Sequence, residues 1–304
     1  MTAPTAALDQ PPALRRAVIY GVAGLAVLLW AGTPAATKLA VGQLDPLAVG
    51  VLRTLIAALL ALPLVLLQRP ALPRLRGGRI SLLLASLSGF ALFPLLFSLG
   101  VSRTSAGHAA LLIAVAPLFT GLIAASLLGR LPVRRWWLGT LVALVGIVVL
   151  IDDRFGLSLT EGGLAGDLLV IAACFAAAVG YVAGARAARE ISAWSVTLWN
   201  ALGAAALLAP LALALLPWPA LWALGWSGWA ALIYLAIPAS MLAYAMWYWA
   251  LAQDDIGRTG TIQFAQPLLG MLIAVALLGE TLTWPLLAAA ALIVAGVALA
   301  QSKG

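Results

Sequence analysis

The feature that most limits this chain is a succession of apolar runs, each about as long as a membrane-spanning helix, with charges confined almost entirely to the gaps. The runs lie near 17–39, 46–68, 79–100, 104–128, 134–151, 163–186, 192–216, 226–251, 257–279 and 283–301. The hydrocarbon core of a bilayer asks for roughly 20 apolar residues per helix. Backbone groups at that depth must be satisfied within the segment, so each run predicts a helix. Asp45-Pro46, Gly77-Gly78, Leu131-Pro132, Gly162-Gly163 and Pro217-Trp218-Pro219 supply turns between the runs. The longest connections, 69–78, 152–162 and 217–225, leave no room for a soluble domain. Composition agrees: 64% of the 304 residues are hydrophobic and 9% are charged, against ~45–50% and ~25% in soluble domains. The expectation is an all-α integral membrane protein of about ten transmembrane helices, in contact with membrane lipid.

A net charge of +7 could suggest nucleic acid, but the placement of the charges argues for topology instead and against a nucleic-acid partner. With both termini cytoplasmic, thirteen basic residues fall inside: Arg15, Arg16, Arg69, Arg74, Arg76, Arg79, Arg130, Arg134, Arg135, Arg186, Arg189, Arg258 and Lys303. Two, Arg103 and Arg154, fall outside. This positive-inside bias predicts one fixed, multi-pass orientation in the cell (inner) membrane. Residues 1–16, polar and ending in Arg15-Arg16 with no small-residue cleavage site, read as a cytosolic tail. Cys174 is the single cysteine, so no internal disulfide or cysteine metal cage is available. The chain carries no GxxxxGK[ST], HExxH or GxSxG segment. No catalytic residue, cofactor or metal is therefore expected, and no nucleotide hydrolysis.

Self-comparison shows a repeat. At a shift of 150, Gly107, Pro117, Ile123, Ala124, Leu127, Leu128, Gly129 and Gly146 fall on Gly257, Pro267, Ile273, Ala274, Leu277, Leu278, Gly279 and Gly296. Earlier, at 147 or 148, Gly32, Lys38 and Pro63 meet Gly180, Arg186 and Pro210. The chain reads as two five-helix copies, 17–151 and 163–301, with an external linker at 152–162 and a short cytosolic tail at 302–304. Five is odd, so the second copy enters the membrane with opposite polarity. Inverted repeats around a central cavity are the architecture expected of a secondary transporter.

Pro267, Gly279-Glu280 and Gly296-Val297 resemble the EamA-type repeat of the drug/metabolite transporter superfamily, and Pro117, Gly129 and Gly146 repeat that spacing in the first copy. Trp30-Ala31-Gly32 followed by Lys38 is similar to that family's first helix. Arg130 departs from it, standing where an acidic residue usually follows the glycine. Within the family the chain most resembles the YddG-type amino-acid exporters, which implies ten helices around a central cavity and export of a small molecule.

Polar and large aromatic groups inside spans are the informative ones, because hydrocarbon tolerates them only where they face protein or water. The runs 134–151 and 283–301 have almost none and read as outer scaffold. The eighth run carries Tyr234, Met241, Tyr244 and Tyr248 on one stripe, suited to lining a cavity or to packing. The ninth carries Thr259, Gln263, Gln266 and Gly270 at helical spacing, and Pro267 frees a carbonyl one turn earlier. Trp30, Thr33, Pro34 and Thr37 share a face of the first run, and Tyr181 corresponds to Thr33 under the repeat. Arg53, opposite Asn200 in the repeat, could meet a substrate carboxylate or helix-end carbonyls. Lys38 could contribute to the same site or snorkel to the nearer interface. His108, the only histidine, could titrate or serve as a local hydrogen-bond partner. Trp218, Trp222, Trp226 and Trp229 read as interfacial anchors.

The substrate-site candidates are therefore Trp30, Thr33, Lys38, Arg53, His108, Tyr181, Asn200, Tyr244, Tyr248, Gln263 and Gln266, with Pro34, Pro117, Pro238 and Pro267 as hinges. Asp45, Asp167 and Glu280 all fall at run ends. The lack of a deep carboxylate relay favours facilitated diffusion over proton antiport. These readings converge on a small-molecule exporter working by alternating access, with amino acids, aromatic ones included, as substrates. Alternatives are export of a drug or of a sugar or nucleotide derivative, an intramembrane lipid-modifying enzyme, and a non-transporting subunit. The solute, the driving force, the oligomeric state and the resting orientation stay open.

Overall fold

The computed structural model describes residues 12–127, 129, 133–155, 163–215, 218–254 and 256–301. Among these residues the protein is helical with no strand. The helices are α1 (Arg15–Val41, entered from Pro12), α2 (Pro46–Gln68), α3 (Arg76–Arg103), α4 (Ala106–Leu127), α5 (Arg134–Phe155), α6 (Gly163–Ala187), α7 (Ala193–Leu215), α8 (Trp226–Gln253), α9 (Ala265–Leu278) and α10 (Trp284–Gln301). A helical turn, Ile256–Gly260, and a 3₁₀ segment, Thr261–Phe264, lead into α9. By length and composition seven of these, α1–α4 and α6–α8, are long and apolar enough to cross a membrane.

Helix begins at Pro12, within the 1–16 segment, and α5 runs to Phe155, within 152–162. Residues 1–11, 156–162 and 302–304, and with them most of the linker and both chain ends, lie outside the described residues.

Helix breaks recur about 150 residues apart. A π-helical segment, Ser86–Leu92, interrupts α3, and another, Ile237–Leu242, interrupts α8. A 3₁₀ turn, Ile113–Val115, precedes Pro117 in α4, and Thr261–Phe264 precedes Pro267. Gly129 (φ 63°) and Gly279 (φ 67°) end α4 and α9 in the left-handed conformation that glycine enters without penalty.

Close backbone approach fixes the packing. The α3–α6 crossing is glycine against glycine: a methyl at Gly180 would lie 2.8 Å from the Gly89 Cα, and one at Gly100 would lie 2.9 Å from the Gly166 carbonyl. α5 and α10 pack along each other, with Gly139 against the Ala300 amide and Gly296 against the Ala143 amide. Such small-residue seams let helices associate where hydrocarbon gives no hydrophobic drive. The pair touches the rest only lightly, as expected for scaffold. α1, α3, α4, α6, α8 and α9 meet around the centre, and α2 and α7 pack together against the irregular part of α3. Trp222 and Trp226 are exposed as interfacial anchors would be, while Trp229 is half-buried against the α1–α8 contact.

Candidate functional site

Three helix breaks create the centre. In α3 the Phe93 amide reaches the Ser88 carbonyl, one residue further back than an α-helix allows. The Gly89 carbonyl is left over and accepts from Tyr244 Oη at 3.1 Å. Pro94, having no N–H, leaves the Phe90 carbonyl to Thr54 Oγ1 at 2.7 Å. In α8 the Ala243 amide reaches Pro238, and the spare Ala239 carbonyl accepts from Trp30 Nε1 at 2.7 Å. In α1, Pro34 deprives the Trp30 carbonyl of its helical donor, and Gln266 Nε2 takes that place at 3.5 Å.

These bonds hold an aromatic cluster. Trp30 stacks on Tyr181 with centroids 5.1 Å apart and meets Tyr244 and Trp247 edge-on at 5.2 and 5.4 Å. Phe90 lies 4.6 Å from Tyr244, which in turn lies 5.5 Å from Tyr248. Offset and edge-on arrangements like these are the favoured ones for π systems. Beside the cluster is a cavity lined by Trp30, Thr33, Phe93, Ile113, Ala116, Cys174, Ala177, Tyr181 and Gln266. Its free volume of about 10 Å³ suits roughly one water, so the centre is closed around its own side chains.

The polar inventory is not balanced. Thr33 Oγ1, Gln266 Oε1, Gln263 Oε1 and Trp247 Nε1 are buried with no hydrogen-bond partner among the described residues. An unmet buried polar atom costs about 1–3 kcal/mol, and folded proteins retain few. Arg53 is 2% exposed. It donates through Nε to Ser240 Oγ at 2.8 Å and lies over Phe93 at 5.4 Å, with no carboxylate partner among the described residues.

The sequence-derived candidates divide into groups. Trp30, Thr33, Tyr181 and Gln266 line the cavity. Tyr244 belongs to the cluster, and Gln263 reaches Tyr181 Oη at 3.5 Å. Tyr248 and Asn200 sit behind, with Asn200 donating to Tyr248 Oη at 3.2 Å and accepting from Ser86 Oγ at 3.0 Å. Lys38 and His108 do not border the cavity. Lys38 Nζ donates to the Val101 and Thr104 carbonyls at 3.1 and 2.6 Å, capping the end of α3. His108 Nδ1 lies 3.9 Å from Asp167, whose other oxygen accepts from Thr104 Oγ1 at 2.8 Å. Asp167 lies one turn into α6, at the end of its run as expected, and is 0% exposed there. The four hinge candidates sit at helix irregularities: Pro34 after the break at Gly32, Pro238 in the π segment of α8, and Pro117 and Pro267 just past 3₁₀ turns. Sequence reasoning missed Trp247, Phe93, Ser240 and Cys174. Trp247 alone carried a usable signal, three residues from Tyr244 on the same helix.

Many apolar helices around a closed polar and aromatic centre define the class as a multi-pass membrane protein. The chain belongs to the EamA-like transporter family, which it matches over residues 17–152 and again over 164–301. It is 30% identical over 282 residues to the "Uncharacterized transporter YdeK" of Bacillus subtilis, covering 91% of this chain and 94% of that one. It is 28% identical over 290 residues to a "Probable amino-acid metabolite efflux pump" of Salmonella typhimurium, covering 90% and 91%. A crystallised protein of 25% identity superposes with a TM-score of 0.67 over 93% of this chain and 96% of its own.

Proposed function

We propose that this protein exports amino acids, aromatic and other apolar ones included, by alternating access between two oppositely oriented five-helix halves, without hydrolysing nucleotide. The halves are 17–151 and 163–301. They make ten crossings of the cell inner membrane, both termini are cytoplasmic, and Pro34, Pro117, Pro238 and Pro267 mark the bending points. The paired π and 3₁₀ segments support the repeat, and an odd number of helices per half supplies the inversion. The resemblance to YddG-type exporters and the name of the Salmonella relative point to the same solute class.

One observation carries the reading: unpartnered acceptors and aromatic walls share one cavity, beside a buried arginine with no carboxylate of its own. A bound amino acid would set its ammonium group against Gln266 Oε1 and Thr33 Oγ1, its apolar side chain against Trp30, Phe93 and Tyr181, and its carboxylate toward Arg53. Each assignment matches a need of the site to one of the solute, since an intramembrane cation is costly until paired.

The test is counterflow in proteoliposomes across a panel of amino acids. Uptake of apolar and aromatic members is expected, and Arg53→Gln should reduce it for free amino acids more than for their amides. Bound substrate should also slow labelling of Cys174, the chain's single cysteine and part of the cavity wall. Absence of exchange for every amino acid would end this proposal.

A further inference from the structure

Unpartnered polar atoms extend beyond the cavity in both directions. Thr37 Oγ1 lies one turn past Thr33 on α1, and Thr259 Oγ1 lies one turn before Gln263 in the segment entering α9. Both residues are buried, at 1% and 0% exposure, and neither hydroxyl has a hydrogen-bond partner among the described residues. Thr259, Gln263, Gln266, Thr33 and Thr37 therefore form one series: successive turns of the α9 segment, then successive turns of α1. These two helices are in direct contact, with the Gln266 side chain on the Trp30 carbonyl and a methyl at Gly270 falling 3.1 Å from the Ala31 carbonyl. Trp136 Nε1 on α5, Trp247 Nε1 on α8 and Asp254 Oδ2 after α8 are also unpartnered, but every neutral oxygen in this state among the described residues falls on these two helices. A threonine hydroxyl inside a helix also has an easy local partner in the carbonyl one turn back. Thr120 and Thr197 use theirs, at 2.9 and 3.0 Å, whereas Thr37, inside α1, does not.

We propose that the α1–α9 seam is the translocation path, and that Thr37 and Thr259 are two further subsites, one on each side of the cavity, for a solute bearing an ammonium or amide N–H. The series offers hydroxyl and amide oxygens and no formal charge. It accepts hydrogen bonds from a donor group and holds it at no single point by an ion pair, so the group passes from Thr259 through Gln263, Gln266 and Thr33 to Thr37. This rests on the cavity being the substrate site.

Two measurements test it. In a Cys174→Ala background, Thr37→Cys and Thr259→Cys should react with a small water-soluble thiol reagent in reconstituted protein, while a cysteine at the lipid-facing position Leu59 should not. No reaction at either threonine position overturns the path, whatever the solute. Thr37→Val and Thr259→Val keep shape and remove the hydroxyl. Each should slow exchange about fivefold, the factor equivalent to one hydrogen bond near 1 kcal/mol, with an unchanged or raised melting midpoint. Serine at either site should restore the rate toward wild type. Valine variants that exchange at the wild-type rate, or that lose activity only by losing stability, overturn the subsites. Reactive cysteines in a protein that exchanges no amino acid would leave the path standing and remove the amino-acid reading alone.

Discussion

The two ends of the helix assembly are closed by the same chemistry at different strength. At one end Glu280, in the turn between α9 and α10, sets both carboxylate oxygens on the amides of Ala106 and Gly107 at 2.7 and 2.8 Å. At the other, Glu190, between α6 and α7, sets one oxygen on the Leu75 amide at 3.4 Å. Each is a carboxylate from the second half of the chain seated at a helix N-terminus of the first half, where free N–H groups and the helix dipole favour negative charge. Around Glu280 the supporting bonds are short and sheltered: Lys38 on the end of α3, and Thr104 on Asp167. Around Glu190 the bonds between different helices are long and exposed: Trp194 to Gln68 at 3.3 Å, Trp199 to the Ala71 carbonyl at 3.3 Å, and Arg15 to Gln253 at 3.4 Å. The shorter bond from Arg79 to the Pro73 carbonyl, at 3.0 Å, ties α3 only to its own preceding loop. Sheltered, charge-assisted bonds are worth several times exposed ones. The Glu280 end is the more firmly held of the two.

The sharpest way to break that contrast is Glu280→Ala. It strips two charge-assisted hydrogen bonds, together about 3–6 kcal/mol, from an end held mainly by them. Labelling of Cys174, which reads access to the cavity, should accelerate by about one order of magnitude or more. An unchanged labelling rate would mean that the carboxylate does not hold this end. Lys38→Met should act in the same direction and less strongly, by about 1 kcal/mol. It removes a cation from the C-terminal carbonyls of α3 and leaves the bonds of Glu280 intact. An acceleration of roughly fivefold is expected, and a larger effect than that of Glu280→Ala would reverse the order of the two contacts.

How far the sequence foretold this depends on contrast. Gln263, Gln266, Thr33 and Arg53 stood out because a polar group in an apolar run is rare, and all four are buried near the centre. Phe93 and Cys174 line the cavity equally, but an apolar residue among apolar residues gives no signal. The helix spans followed the apolar runs closely, since hydropathy marks where lipid begins. Burial followed less well: Asp167 is terminal in its span as its charge suggested, yet it is fully buried there with Thr104 and His108 as neighbours. The π segments of α3 and α8 were not legible at all. Pro94 and Pro238 give a reason for a break, but only the neighbouring Tyr244 and Trp30 side chains, arriving from other helices, decide which carbonyls are left over and used.

The smallest expected effect carries the control. Glu190 is exposed and its bond to Leu75 is long. Water can replace the carboxylate at the start of α3, so Glu190→Ala should cost less than about 0.5 kcal/mol. Cys174 labelling should change by less than about threefold, and raised salt, which screens exposed charge, should erase the difference from wild type. The same salt should leave the Glu280→Ala acceleration nearly intact, because that contact is sheltered between α4 and the α9–α10 turn. If Glu190→Ala instead opened the cavity as much as Glu280→Ala, distance and exposure would be poor guides to what holds each end. The two carboxylates would then have to be treated as equal latches on one symmetric pair of gates.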